Sequence, residues 1–277
     1  MINKIIKNTN TIREKSPLTH CITNFVTVND CANVILAIGG SPIMSNEENE
    51  AEELGNIINS LLINIGTITK NQMQTMQKAS ASATKNKNPI VLDPVGVGIS
   101  QIRNKATENI IKNNKPTIIK GNLSEIKAIA TLTGILQECN TAKGVDVAET
   151  DIITENNTQE IGTLVKNIAN KLQTTISVSG PIDIISDGNE IYYIYNGDAK
   201  MSKITGSGCM LGSIMASYSA ITNPLEAAIT STLTFGIAGE ISAQETVGTG
   251  SFRTELINQL SIMTPEKIEK YGKIKKE

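Results

Sequence analysis

Hydrophobic and polar positions along the chain fall into two alternating kinds of segment. Short β-branched runs, each ending in polar or glycine residues, are separated by longer stretches with helical spacing. Leu61-Leu62-Ile63-Asn64-Ile65 reads as a buried strand stopped by Gly66, followed by a helix over 69–86 with Thr69 as its cap. Residues 89–92 read as a second strand ending in Asp93-Pro94, with a helix over 101–113 behind it. Residues 116–119 form a third strand ending in Lys120-Gly121. Asn122 then caps a helix, and Glu125, three positions on, suits a capping box. An amphipathic stretch over 158–172 leads to a fourth strand over 175–178, ending in Ser179-Gly180-Pro181. Nearer the N-terminus, Val28 to Ile38 reads as helical.

Past residue 180 the pattern changes. Residues 183–186 and 190–195 read as a hairpin across Asp187-Gly188-Asn189. Helical segments follow at 207–220, 224–246, 251–260 and 264–272, and the Lys-rich end from Glu266 to Glu277 reads as a solvated helix and tail. The stretch 137–157 is polar and indistinct, which suits a surface excursion. Strand–helix alternation predicts right-handed βαβ units and an α/β fold with a mainly parallel sheet. With no repeat or linker, residues 1–277 read as one domain.

Composition narrows the function classes. Apolar residues are 39% and charged residues 19%, enough for a sizeable core. Lys+Arg is 25 against Asp+Glu 27, so no basic excess exists to hold a nucleic acid, and aromatics at 3% with no Trp offer no stacking platform. The N-terminal segment has no apolar core of a signal peptide, and no apolar run approaches the ~18 residues of a membrane span. The cysteines at 21, 31, 139 and 209 form no C-x-x-C pair, and His20 is the single histidine. These features point to a reduced, soluble, cytoplasmic protein, and they disfavour a structural zinc site or a Ser-His-Asp hydrolase. Arg occurs only at 13, 103 and 253, so the basic side chains are overwhelmingly Lys.

In open parallel sheets, ligands bind beyond the carboxyl ends of the strands. The residues there are Gly66-Thr67, Asp93-Pro94, Lys120-Gly121 and Ser179-Gly180. The plainer reading is that every strand needs a terminator, but an acid, a base and two hydroxyls on one rim make a candidate site. Thr205-Gly206-Ser207-Gly208-Cys209 opens a helix, and such glycines let backbone N–H groups converge on an anion. It is neither a Walker loop nor a dinucleotide fingerprint, since the third glycine is Gly212. Cys209, in the first helical turn, would have a lowered pKa as a base or nucleophile, or be a small buried apolar residue. Asn122 and Glu125 could hold a magnesium water shell or serve only as a cap. Asp93 is a second acid for that metal, and Lys120 a point charge for a phosphate. Met44 is either an apolar wall for a small ring or a gap-filler, and His20 reads as structural.

The segments HCITNFVTVNDCANVILAIGGSPIMS, IVLDPVGVG, IIKGNLSEI, ISVSGPID and ITGSGCMLG, spanning residues 20 to about 212, together resemble the hydroxyethylthiazole kinases of the ribokinase-like superfamily. The resemblance implies a central mainly parallel sheet flanked by helices on both faces. It implies MgATP-dependent phosphorylation of 4-methyl-5-(2-hydroxyethyl)thiazole on its primary hydroxyl, in thiamine salvage. It places Cys209 beside that hydroxyl, Met44 and Gly206 against the thiazole with Asn24 nearby, and Asp93 and Glu125 in the magnesium region. Lys120, Ser179, Asn122 and Thr205 fall on the ATP side; Lys120 and Ser179 stand where Arg and Thr are commoner. A homotrimer with active sites between subunits is implied as well. Two alternatives stay open: a kinase of the same fold for another vitamin alcohol, hydroxymethylpyrimidine or pyridoxal, and a thiazole-binding protein without catalysis.

Overall fold

The computed structural model describes residues 1–137 and 152–277. Most of the polar stretch 137–157, with Cys139, lies outside the described residues. The N-terminal half lays down β1 (Leu18–Ile22), β2 (Ser41–Met44), β3 (Ser60–Asn64), β4 (Ile90–Asp93) and β5 (Ile118–Asn122). It interleaves α1 (Ile2–Lys15), α2 (Val28–Ile38), α3 (Ala51–Leu54), α4 (Lys70–Lys85) and α5 (Gln101–Asn114). Then come α6 (Leu123–Leu132), α7 (Thr158–Leu172), β6 (Thr175–Ser179), β7 (Asp183–Ser186) and β8 (Ile191–Ile194). The C-terminal part holds α8 (Ser207–Ser219), α9 (Pro224–Glu245), α10 (Thr249–Ser261), α11 (Pro265–Tyr271) and β9 (Ile274–Lys276).

Among the described residues one sheet forms, in the order β2-β1-β3-β4-β5-β6-β7-β8-β9. Its strands are parallel from β2 to β6 and antiparallel from β6 to β9. Strand alternation explains the two cores. Leu62, Val91 and Ile118 face one side and pack with α1, α2 and α8 to α11, while Leu61, Ile63, Ile90, Leu92 and Ile119 face the other and pack with α3 to α7. The strands therefore read as continuous apolar runs, because both faces are covered.

The predicted strands and helices are present, displaced by one or two residues at most ends; the third strand runs 118–122 rather than 116–119. Thr69 and Asn122 cap their helices with full capping boxes, Thr69 with Gln72 and Asn122 with Glu125. One expectation needs correction. The Lys-rich end is not a free tail: after α11 the chain adds β9 to the edge, where Ile274 pairs with Ile194 and Tyr193 Oη donates to Glu277. Met44 ends β2, the outer parallel strand, beside Cys21 of β1. Neither short edge strand carries a strong pattern of its own; both form because a neighbour supplies the hydrogen-bond ladder.

Candidate active site

Parallel register brings the strand ends together. Asn64 is the partner of Asp93 across β3 and β4, and Asn122 the partner of Ser179 across β5 and β6. Asp93 is fully buried and Lys120 is 4% exposed, and Lys120 Nζ lies 3.5 Å from Asp93 Oδ1. Burial raises the Asp93 pKa, with Lys120 and the Asn64 amide opposing. Burial also disfavours the charged Lys120, but Asp93, Glu125 and Cys209 outweigh it and hold its pKa above the ordinary value. Lys120 is thus a fixed ammonium whose charge is set by its neighbours.

Helix α8 starts over this pair. Its N-cap is Gly206, at φ 83°, and no side chain caps the first turn. A Cβ at 206 would come within 2.2 Å of Thr27 Cγ2, so both the backbone angle and the space require glycine. A Cβ at 208 would sit 2.9 Å from Lys120 Nζ, and one at 212 would sit 3.3 Å from Asp93 Oδ2. Gly208 and Gly212 let the helix lie directly on the buried ion pair, and Gly206 lets it start against Thr27, with its unsatisfied N–H groups facing the rim.

Cys209 is held by two amides: Asn24 Nδ2 and Asn64 Nδ2 each lie 3.2 Å from its sulfur. The helix start does not lower its pKa as the sequence led us to expect. Burial first, and the Asp93 charge second, push it up to about 11. Desolvation of a thiolate outweighs the partial charge of a helix end when a carboxylate stands nearby. Cys209 is therefore a neutral thiol at pH 7.

Glu125 takes one backbone N–H on each of its carboxylate oxygens. Gly96 N donates to Oε1 at 2.9 Å and Asn122 N to Oε2 at 2.8 Å. Burial and the Asp93 charge raise its pKa, against Lys120 and these N–H groups. Among the described residues no three His, Cys, Asp or Glu side chains cluster as a metal cage. The donor set still fits a magnesium ion held chiefly by phosphates and water, because Asp93 and Glu125 leave one negative charge beyond what Lys120 neutralises.

Beside α8 opens a cavity of about 790 Å³. Its lining includes Asn122, Ser179, Asp183, Gly206, Gly208 and Phe235. Asn122 and Ser179, expected on the ATP side, and Gly206, expected against the thiazole, all line this one cavity. Thr205 is exposed just before α8 and is not among the lining residues. Met44 stays on the outer strand, separated from β4 by β1 and β3. His20 is buried in β1, and its Nε2 meets the carbonyl of Ser45, away from the cluster.

Three residues were passed over in the sequence. Asn64 is a polar residue at the end of an otherwise apolar buried strand, and that anomaly was its signal. Asp183 lines the cavity, and burial pushes its pKa up to about 7 against the Gly180 N–H and Lys120. Arg103 donates to the carbonyls of Ile65, Gly66 and Val95, tying the loops after β3 and β4. An Arg kept in a Lys-rich chain was its signal, since only the planar fork spans several acceptors.

A family description, "Hydroxyethylthiazole kinase family", matches residues 9–266. The chain belongs to the hydroxyethylthiazole kinase family. It is 60% identical to hydroxyethylthiazole kinase 1 of Methanosphaera stadtmanae, over 96% of this chain and 94% of that one. A solved hydroxyethylthiazole kinase from Pyrococcus horikoshii OT3 superposes with a TM-score of 0.88 at 34% identity, covering 99% of both chains. A ribokinase-like superfamily protein from Enterococcus faecalis shares the fold alone, with a TM-score of 0.57 at 15% identity over 92% of this chain and 87% of that one. The ribokinase-like α/β architecture expected from the sequence is borne out, and so is the activity: the chain is an enzyme that phosphorylates the thiazole alcohol. Among the described residues no helix is long and apolar enough to cross a membrane.

Proposed function

We propose that ATP is the phosphoryl donor, that it occupies the cavity beside α8, and that its γ-phosphate meets the uncapped first turn of that helix. The observation that carries this reading is the seating of Lys120 Nζ against Gly208 at the start of α8, one residue from Cys209. Phosphoryl transfer asks for positioning and charge neutralisation more than for covalent work. The N–H groups of residues 207–209 and the Lys120 ammonium supply fixed positive charge where negative charge gathers on the phosphoryl oxygens. Ser179 and Asn122 line the nucleotide cavity and hold it by polar contact. Asp93 and Glu125 are the residues that would hold magnesium, through its water shell. What the ion supplies when bound is neutralisation of the β- and γ-oxygens.

Cys209 acts as a neutral thiol that orients the substrate hydroxyl, with Gly206 and Met44 as contacts of the thiazole ring. As the alcohol oxygen bonds to phosphorus, the bond to ADP breaks, and the hydroxyl proton passes to an oxygen of the transferring phosphoryl group. The transition state spreads its charge over the phosphoryl oxygens, so a strong base is not required.

Residues 1–277 act as one catalytic unit in the cytoplasm, and the active enzyme is a homotrimer with sites between subunits. Support for the trimer is the exposure of Phe25 (76%), Val26 (54%) and Ile57 (62%), the first two directly following Asn24 of the site. A neighbouring copy covering them would bring its own surface, Met44 included, to the thiazole. Light scattering checks the mass, and a fully active monomer overturns the shared site. The test of the reaction is a steady-state assay with the purified chain, MgATP and the thiazole alcohol, with hydroxymethylpyrimidine and pyridoxal as competitors. Thiazole phosphate formed in step with ADP is the expected result; phosphorylation of only a competitor overturns it.

A further inference from the structure

Asn64 has every polar atom of its side chain engaged. Its Oδ1 accepts from Gly66 N at 2.9 Å and from Asn24 Nδ2 at 3.0 Å. Its Nδ2 lies 2.6 Å from Asp93 Oδ2 and 3.2 Å from Cys209 Sγ. The orientation of the amide follows from one of these contacts. A backbone N–H can only donate, so the atom facing Gly66 is the oxygen, and the nitrogen faces Asp93 and Cys209. Asn24 is fixed by the same logic, because its Oδ1 accepts from Thr27 N at 3.1 Å and from Thr27 Oγ1 at 3.0 Å. Its nitrogen is then left for Asn64 Oδ1 and the Cys209 sulfur. Asn64 is 1% exposed and Asn24 is 4% exposed, so neither amide has water as an alternative partner.

The sulfur of Cys209 therefore receives two N–H donors from one side. Its own S–H has no acceptor among those two amides, since both present hydrogen to it, and the Thr27 hydroxyl is the sulfur's further partner. An apolar residue at position 64 would serve β3 equally well as a packing element, being the end of the run Leu61-Leu62-Ile63. A saturated amide there costs desolvation and gains stability only when all its partners are present. The arrangement makes sense as a device acting on the reacting groups.

We propose that Asn64 is a positioning residue of the phosphoryl transfer: its amide nitrogen binds the Asp93 carboxylate and the Cys209 sulfur together, fixing their separation and the place of the sulfur beside the substrate hydroxyl. The inference rests on Cys209 lying beside that hydroxyl. Asn64 is not among the residues that line the cavity, so its effect falls on turnover more than on nucleotide binding.

The test is a double-mutant cycle of Asn64→Ala and Cys209→Ala, with kcat and both KM values measured on folded protein. Cys209→Ala lowers kcat, which is the prior reading. Asn64→Ala lowers kcat by ~10–100-fold with the KM for MgATP within about twofold, and the same substitution costs under about threefold when Cys209 is already Ala. An equal fold-loss in both backgrounds, with Cys209→Ala impaired, overturns the role of Asn64 and leaves that of Cys209 standing. An unchanged kcat in Cys209→Ala overturns both. Should Asn64→Ala not fold, nuclear magnetic resonance of the protein labelled with ¹⁵N-asparagine decides, because it needs only Cys209→Ala. Loss of the sulfur moves the side-chain N–H resonances of both Asn64 and Asn24 upfield; unmoved resonances overturn the proposal.

Discussion

Helices α6 and α8 both begin at the rim where the parallel strands end, and their first turns are completed in opposite ways. In α6, Asn122 Oδ1 accepts from Glu125 N at 2.8 Å and Glu125 Oε2 accepts from Asn122 N at 2.8 Å, so the helix satisfies its own end. In α8 the N-cap is a glycine, no side chain caps the turn, and a lysine ammonium lies against the second residue. A closed end contributes stability; an open end beside a buried cation keeps its donors for a ligand. The same feature of helix geometry thus serves the fold at one place and the chemistry at the other. The difference is carried by side-chain length at three positions: Gly206, Gly208 and Asn122.

The largest effect is expected at the cation of the open end. Lys120→Ala should lower kcat/KM for MgATP by ~10²–10³-fold, the scale of losing one fixed charge-stabilising donor, with a much smaller change in the thiazole KM. Separate Michaelis constants check it, and a defect confined to the thiazole would show that Lys120 serves the other substrate. Gly208→Val comes next. Its side chain would displace Lys120 Nζ, and a misplacement of ~1 Å costs about 10²-fold in turnover, while circular dichroism should show the fold retained. Normal turnover in this variant would remove the close approach of α8 from the account.

A smaller, pH-dependent effect is expected at Asp183, which lines the cavity. Burial raises its pKa to about 7, so it is neutral below that pH and anionic above it. An anion there repels the phosphates, so the KM for MgATP should rise several-fold from pH 6 to pH 8, and Asp183→Asn should flatten the profile. A profile that keeps its slope in Asp183→Asn assigns the titration to another group. The closed end gives the smallest change in rate. Asn122→Ala removes a cap, which costs about 1 kcal/mol and lowers the melting temperature by ~2–4 °C, with kcat within about twofold. Its contact with the nucleotide should show only as a small rise in the KM for MgATP, and a loss of turnover as large as that of Gly208→Val would mean that the first turn of α6 takes part in the transfer as that of α8 does.

Much of the fold was legible because both faces of the sheet are covered. Leu61–Ile63, Ile90–Leu92 and Ile118–Ile119 are apolar throughout, and no register of helix periodicity competes with them. Thr69, Asn122 and Glu125 announced their helix starts, since a cap is a local bargain between residues three apart. β2 and β9 were not legible, and α1, β1 and α3 went unread as well. Ser41–Met44 and Ile274–Lys276 become strands only when β1 and β8 offer a free edge, which is information held by the partner.

The same division runs through the site. The amino-acid sequence by itself determined which chemical groups stand at the strand ends: the acid at 93, the base at 120, the cap at 122 and the glycines around Cys209. Those depend on local propensity and on the rule that parallel strands end on one rim. Tertiary structure alone decided their states. Cys209 reads as an activated thiol from its place in a helix, yet burial and a carboxylate from another strand make it a weak acid. Glu125 reads as a free metal ligand, yet Gly96, 29 residues away, takes up one of its oxygens. Asn64 reads as a strand residue, and its role exists only through Asn24, Asp93 and Cys209, which come from three other elements. Charge state and hydrogen-bond partnership are sums over everything within a few ångströms, and in this chain those neighbours lie up to 185 residues apart.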